Sequence, residues 1–188
     1  MHILLDNLSW MNFNIGLGAV AVVCGMLMYK VSSWQSKLVF GIVWLLFLPN
    51  TMYIFTDLMH LPGQFVRIQA GLRPLLILEY VGLMVGGVIT YLASIYPFAK
   101  MIRKSKFVKQ FGIVLPLFAI NYVAAVGVVL GRVYRFNSWD ILTQSHKILE
   151  QTAVAFSTLE LLLFTVVFAV VMQLLYQVFA IYFPVKVS

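Results

Sequence analysis

From Leu75 to Tyr96 the chain carries one charge, Glu79, and from Phe111 to Leu130 it carries none. A helix needs about 20 apolar residues to cross the hydrocarbon core of a bilayer. Five stretches qualify, at about 11–29, 38–55, 75–96, 111–130 and 153–183. The last is long enough to tilt or to project beyond the membrane. Only 10% of the 188 residues are charged, against about 25% in an ordinary soluble domain. With 62% hydrophobic residues, a chain this small has too little interior to hide its apolar surface from water. The expected fold is all-α: a polytopic transmembrane helical bundle of about five spans. Residues 1–188 read as a single integral membrane domain, with the lipid bilayer as its main partner.

The start, MHILLDNLSW, has no positive leading region, and no small-residue cleavage site follows it, so it does not read as a removable signal peptide. The single cysteine, Cys24, excludes an intrachain disulfide and a multi-cysteine metal site. The net charge of +7 does not point to nucleic acid, because the basic residues sit at the ends of apolar segments. One set is Lys30, Lys37, Lys100, Arg103, Lys104, Lys106, Lys109 and Lys186, with no acid among them. The other is Arg67, Arg73, Arg132, Arg135 and Lys147, mixed with Asp6, Asp57, Asp140 and Glu150. The positive-inside rule places the first set in the cytoplasm, which puts the N-terminus outside and the C-terminus inside a cell membrane.

The second span contains FLPNTMYIFTDLMH. Pro49 removes a backbone donor and kinks any helix that continues past it. If the helix runs on to His60, then Asn50, Tyr53, Asp57 and His60 are spaced 3, 4 and 3 residues apart and share one face. Polar side chains at such depth face protein or a watery cavity, and a polar residue beside a helix break often satisfies a freed carbonyl. Alternatively Asp57 and His60 lie past the helix end, in water. Glu79, one turn into the third span, and Glu160, early in the last, fall toward the same outer side, as do His2, His60 and His146. Arg132 and Arg135 are candidate partners for these acids, on one face if the fourth helix extends that far. Gly82-x-x-x-Gly86 and Gly127-x-x-x-Gly131 are small-residue pairs of the kind that let helices approach in lipid.

GRVYRFNSWDILTQSHKILE is the other dense polar stretch. Asn137 reads as an N-cap with Asp140 in the first turn. A short interfacial helix is expected near 138–150, its apolar residues resting on the membrane.

Leu48–His60 and Leu130–Asp140 resemble the two signatures of an uncharacterised bacterial membrane family, domain of unknown function 1361. Its patterns are LPN-x-x-Y-x-x-TD-x-x-H and LGR-x-x-R-x-NSWD. The residues that match are Pro49, Asn50, Tyr53, Thr56, Asp57 and His60, then Gly131, Arg132, Arg135, Asn137, Ser138, Trp139 and Asp140. The resemblance implies a bacterial multi-pass membrane protein and supplies no reaction. Since the topology puts both motifs at one membrane face, they are expected to meet in one polar site.

Three functions stay open. The leading one is an accessory or structural protein that docks a membrane-protein partner or a second copy of itself, its cluster tied by Arg132 or Arg135 to Asp57. The second is a membrane-embedded enzyme acting on a lipid or lipid-linked anionic substrate. There His60 would act as general base with Asp57 as its orienting carboxylate, and Arg132 and Arg135 would suit the anion, with Asp57, His60 and Arg135 as the candidate catalytic residues. Its metal variant uses Asp57 and His60, with His146 or Glu160. The third is a transporter component built on the Pro49 break. No cofactor is identifiable, and the common soluble catalytic motifs are absent from the sequence.

Overall fold

The computed structural model describes residues 2–183, so Lys186 lies outside the described residues. Among them no strand occurs, and five helical stretches are long and apolar enough to cross a membrane. The first, α1 (His2–Lys30), starts well before Met11, where the sequence places it. The second stretch, Trp34–Arg67, is not one helix. It comprises α2 (Trp34–Phe47), α3 (Asn50–Asp57), a 3-10 turn at Leu58–His60 and α4 (Leu61–Arg67). Then come α5 (Arg73–Ile102), α6 (Lys106–Phe111), α7 (Val114–Tyr134), α8 (Asp140–Thr143), α9 (Ser145–Ser157) and α10 (Leu159–Tyr182).

Local chemistry sets the boundaries. Ser33 caps α2 by accepting from the Ser36 N–H, and Ser105 caps α6 by accepting from the Val108 N–H. Gly112, at φ +82°, ends α6 in a conformation that a side chain would resist. Pro74 sits in the first turn of α5, where its missing N–H costs nothing.

Other expected boundaries move too, and the fourth span runs Val114–Tyr134 rather than 111–130. The third span does not stop at Tyr96 but passes Pro97 and runs to Ile102. The Trp44 indole N–H points at the carbonyl and hydroxyl of Ser94, and its ring stacks on Phe98 at 4.9 Å. Packing from α2 therefore holds the residues on both sides of the proline in helix. The stretch 153–183 is not one helix either, because the chain becomes extended at Thr158. The hydroxyls of Ser157 and Thr158 bond back to the carbonyls of Ala153 and Val154, which competes with the backbone ladder. The helix expected near 138–150 is present as α8 and the larger α9.

The bundle has two halves. α1 packs along α5 and α2, while α7 packs along α10. The short α3 lies against α1 and α5 and also reaches α7, which joins the halves. The main core includes Trp44, Leu48, Met52, Tyr91, Leu117, Val128 and Met172. A hydrogen-bonded core also crosses it. The Tyr91 hydroxyl lies 2.9 Å from both Asn121 Oδ1 and the Met172 carbonyl, and the Asn121 amide donates to Gln173 Oε1 at 2.9 Å. These bonds stitch α5, α7 and α10 together where lipid gives helices no hydrophobic reason to associate. Outward side chains such as Val85, Ile89, Leu163 and Val167 are apolar and exposed, as suits a chain solvated by lipid.

Candidate functional site

The break at Pro49 is where the two motifs meet. Around it the Thr51 N–H turns to the Leu48 carbonyl, out of the regular ladder. Side chains replace the lost backbone donors. The Asn50 amide donates to the Phe47 carbonyl at 3.1 Å and to Ser138 Oγ at 3.0 Å, and Ser138 in turn donates to the Leu46 carbonyl at 2.8 Å. One residue from each motif thus satisfies the broken helix, as buried backbone requires.

Gly127 and Gly131 have the same origin. A Cβ on Gly127 would stand 2.5 Å from Pro49 Cγ. A Cβ on Gly131 would collide with the Tyr53 hydroxyl, which donates to the Gly127 carbonyl at 2.9 Å. Bare backbone on α7 lets α3 press into it. The pair at Gly82 and Gly86 works differently. Gly82 meets nothing within 4 Å, and Gly86 meets only the flexible end of Ile15.

Further along α3, a cavity of about 230 Å³ opens between α1, α3 and the end of α7. Asn50, Tyr53, Thr56, Asp57, Arg132, Arg135 and Asn137 line it, together with Phe13, Asn14 and Leu17 of α1. Asp57 is buried, with its carboxylate accepting from Asn14 Nδ2 at 2.9 Å. Arg132 Nη1 stands 3.5 Å from the other Asp57 oxygen. Its Nη2 is 3.5 Å from His60 Nε2, so the guanidinium lies between aspartate and histidine. His60 is exposed, with its ring edge-on to Trp10 at 6.2 Å. Thr56 donates to the Tyr53 carbonyl and is buried, a bond that stays within α3.

Arg132 and Arg135 do not share a helical face. α7 ends at Tyr134, and Arg135 adopts the left-handed conformation at φ 58°, the single non-glycine residue with positive φ among the described residues. The Phe136 N–H then bonds to the Leu130 carbonyl, closing the helix end. Arg135 is left exposed, with no ion pair among the described residues. The expected tie to Asp57 is therefore made by Arg132.

Asn137 is not the N-cap expected from the sequence. Its side chain caps nothing, and α8 begins at Asp140. The bond runs the other way, from the Asn137 backbone N–H to the Asp140 carboxylate at 2.6 Å, and it holds Asp140 buried. This is the backward half of a capping box.

Glu79 pairs with no arginine. It accepts from the Asn7 amide at 3.1 Å. Asn7 and Gln64 exchange two bonds, at 2.8 and 2.9 Å, and Trp10 and Tyr80 add theirs. This second network ties α1, α4 and α5 at the same end of the bundle. His146 and Glu160 are exposed, line neither the cavity nor this network, and have no ion pair among the described residues. Among the described residues no three histidine, cysteine, aspartate or glutamate side chains gather as metal donors. Asp57 and His60 each lie 3.5 Å from the Arg132 guanidinium.

Asn7 and Asn14 escaped the sequence reading. Their spacing of seven places them two turns apart on one face of α1, with Trp10 between them.

The family model described as a protein of unknown function (DUF1361) matches residues 13–175. No curated protein and no solved structure matches the chain.

Proposed function

The chain belongs to this family of proteins of unknown function, and we propose that it is an accessory membrane protein whose motif end binds an anionic group. Arg135 carries the reading. The other charges in the cavity are spent on each other, since Asp57 holds Arg132 and Asn14. Among the described residues Arg135 alone lines the cavity with its charge free, and it does so from a left-handed backbone that costs roughly 1–2 kcal/mol for a residue with a Cβ. Glycine or asparagine is the usual occupant of such a helix end. Strain retained at a cavity wall is a reason to look for function there. A guanidinium offers several donors in a planar fork, which suits phosphate or carboxylate.

The enzyme reading has weaker support. Asp57 and His60 make no bond to each other, and Arg132 stands between them. The reading takes the chain as one integral membrane domain. It puts the cavity at the outer leaflet, because Lys30, Lys37, Lys100, Arg103, Lys104, Lys106 and Lys109 lie at the opposite end.

The test is thermal melting of the detergent-purified protein with glycerol 3-phosphate. Saturating ligand at a hundred times Kd adds about 2.7 kcal/mol, which is about 5–10 °C for a chain of this size. Arg135→Ala is expected to abolish the shift and Arg135→Lys to reduce it. Phosphates also stabilise proteins by exclusion from the surface, so an equal shift in Arg135→Ala sinks the reading.

A further inference from the structure

We infer that the bound anion is the headgroup of an anionic phospholipid, with one acyl chain lying in an apolar groove that adjoins the cavity. The inference rests on the anion reading above and adds the chain. A second cavity, of about 260 Å³, lies on the other side of Tyr53, Phe136 and Asn137, and those three residues line both. Its walls are Leu45, Leu46 and Pro49 from the broken helix, Val123, Val126 and Leu130 from α7, and Ile141 and Ile148 from α8 and α9.

The polar side chains that border this groove already have hydrogen-bond partners, the Asn137 amide on the Asp140 carboxylate among them. Ser138 donates to the Leu46 carbonyl, and the Tyr53 hydroxyl donates to the Gly127 carbonyl. What remains is hydrocarbon. From Leu130 to Val123 the wall runs seven residues along α7, about 10 Å at the helical rise. It therefore descends from the end of the helix, where Arg135 stands, toward mid-span. Val123 is exposed on the bundle's flank, so the groove has a side entrance from the bilayer.

The occupant follows from this layout. A free cation borders an open polar cavity at the helix end, and an apolar groove that shares the wall of Tyr53, Phe136 and Asn137 with that cavity runs down the span. An anionic head joined to a hydrocarbon chain matches both parts at once. A zwitterionic lipid supplies the chain but brings a cation of its own toward Arg135. A soluble anion uses the first part and leaves the groove unfilled.

The test is native mass spectrometry of the whole protein released from detergent. The probes are phosphatidylglycerol and phosphatidylcholine with matched chains, run beside the glycerol 3-phosphate melting assay. Phosphatidylglycerol should be retained roughly tenfold over phosphatidylcholine, the scale of one charge-assisted hydrogen bond. Arg135→Ala should bring the two level. Val126→Trp fills the groove, and Ile141→Trp does so from a half-exposed position that leaves the α7 packing alone. Either should cut phosphatidylglycerol retention at least fivefold while leaving the glycerol 3-phosphate shift at its wild-type size. Undiminished lipid retention in both tryptophan variants overturns the groove, as does equal retention of the two lipids in the wild type. Absence of any glycerol 3-phosphate shift in the wild type is a separate result, which removes the anion reading and this inference with it.

Discussion

Gly131→Ala should destabilise the protein, and the same substitution should become harmless or stabilising once Tyr53 is truncated. The added methyl would occupy the place of the Tyr53 hydroxyl, and the ring carbons behind that hydroxyl are also too close. Overpacking of this kind costs up to about 3 kcal/mol. Replacing glycine by alanine within a helix returns up to about 1 kcal/mol through propensity. The net loss is then about 2 kcal/mol, a fall in melting temperature of about 4–8 °C. Tyr53→Ala is itself costly, because it empties the space of a large side chain and removes a hydrogen bond. In that background the methyl meets no ring, so the propensity gain stands alone and the melting temperature should hold or rise by about 2–4 °C. The coupling between the two sites is therefore about 3 kcal/mol, well above the few tenths expected of independent positions. Melting of the four proteins in one detergent checks it. An equal fall on Gly131→Ala in both backgrounds would show that α7 and α3 do not meet through this glycine.

Three further outcomes follow from the same end of the bundle. Ser138→Ala strands the Leu46 carbonyl and part of the Asn50 amide, at a cost of about 1–3 kcal/mol; a melting temperature within 1 °C of wild type would contradict the bond network. Arg132→Gln should destabilise by leaving Asp57 buried without its cation, by less than the roughly 3–5 kcal/mol of a fully buried pair because Arg132 is partly exposed. Adding Asp57→Asn should restore most of the loss, and a double variant no more stable than the single would refute the pairing. Arg135→Gly should raise the melting temperature by about 2–8 °C by relieving the left-handed strain while it abolishes the glycerol 3-phosphate response. A melting temperature unchanged or lowered would show that the strain is not a cost.

The helical bundle was legible because lipid solvation writes itself into composition. Apolar runs such as Leu75–Tyr96 need no tertiary information to be recognised. The meeting of the two motifs was an expectation drawn from the helix count, which puts them at one end of the bundle, together with the resemblance that delimits them. Which arginine faces Asp57 was not, because the spacing of Arg132 and Arg135 suits one helical face. No glycine or proline marks the helix end between them, so the left-handed turn at Arg135 leaves no local signal. The break at Thr158 was hidden for a similar reason. Serine and threonine occur inside membrane helices, and the run of apolar residues resumes at once. Asn14 was missed because its partner Asp57 lies far away in sequence, and an asparagine near a span's start gives no sign of what it will face. The carbonyls of Leu46 and Phe47 are different again. Pro49 withholds its own donor from the Leu45 carbonyl, and the Phe47 carbonyl loses its partner because the Thr51 N–H turns to Leu48; Asn50 is the obvious neighbour to feed a freed carbonyl, but nothing local names Ser138.

That last bond sets an order of events during synthesis. Asn50 can serve the Phe47 carbonyl as soon as its own turn forms. The Leu46 carbonyl must wait for a residue 92 positions later. At about 5–20 residues per second, the delay is roughly 5–20 s. Over that interval the second span is an interrupted helix with an unserved acceptor, held in the bilayer or its insertion machinery. Chains halted just before Ser138 should be degraded faster than chains extended to carry α8 and α9, a difference that pulse-chase measurement of truncated proteins resolves. The proline break thus makes a span in the early half of the protein dependent on a residue of the late half for its last acceptor.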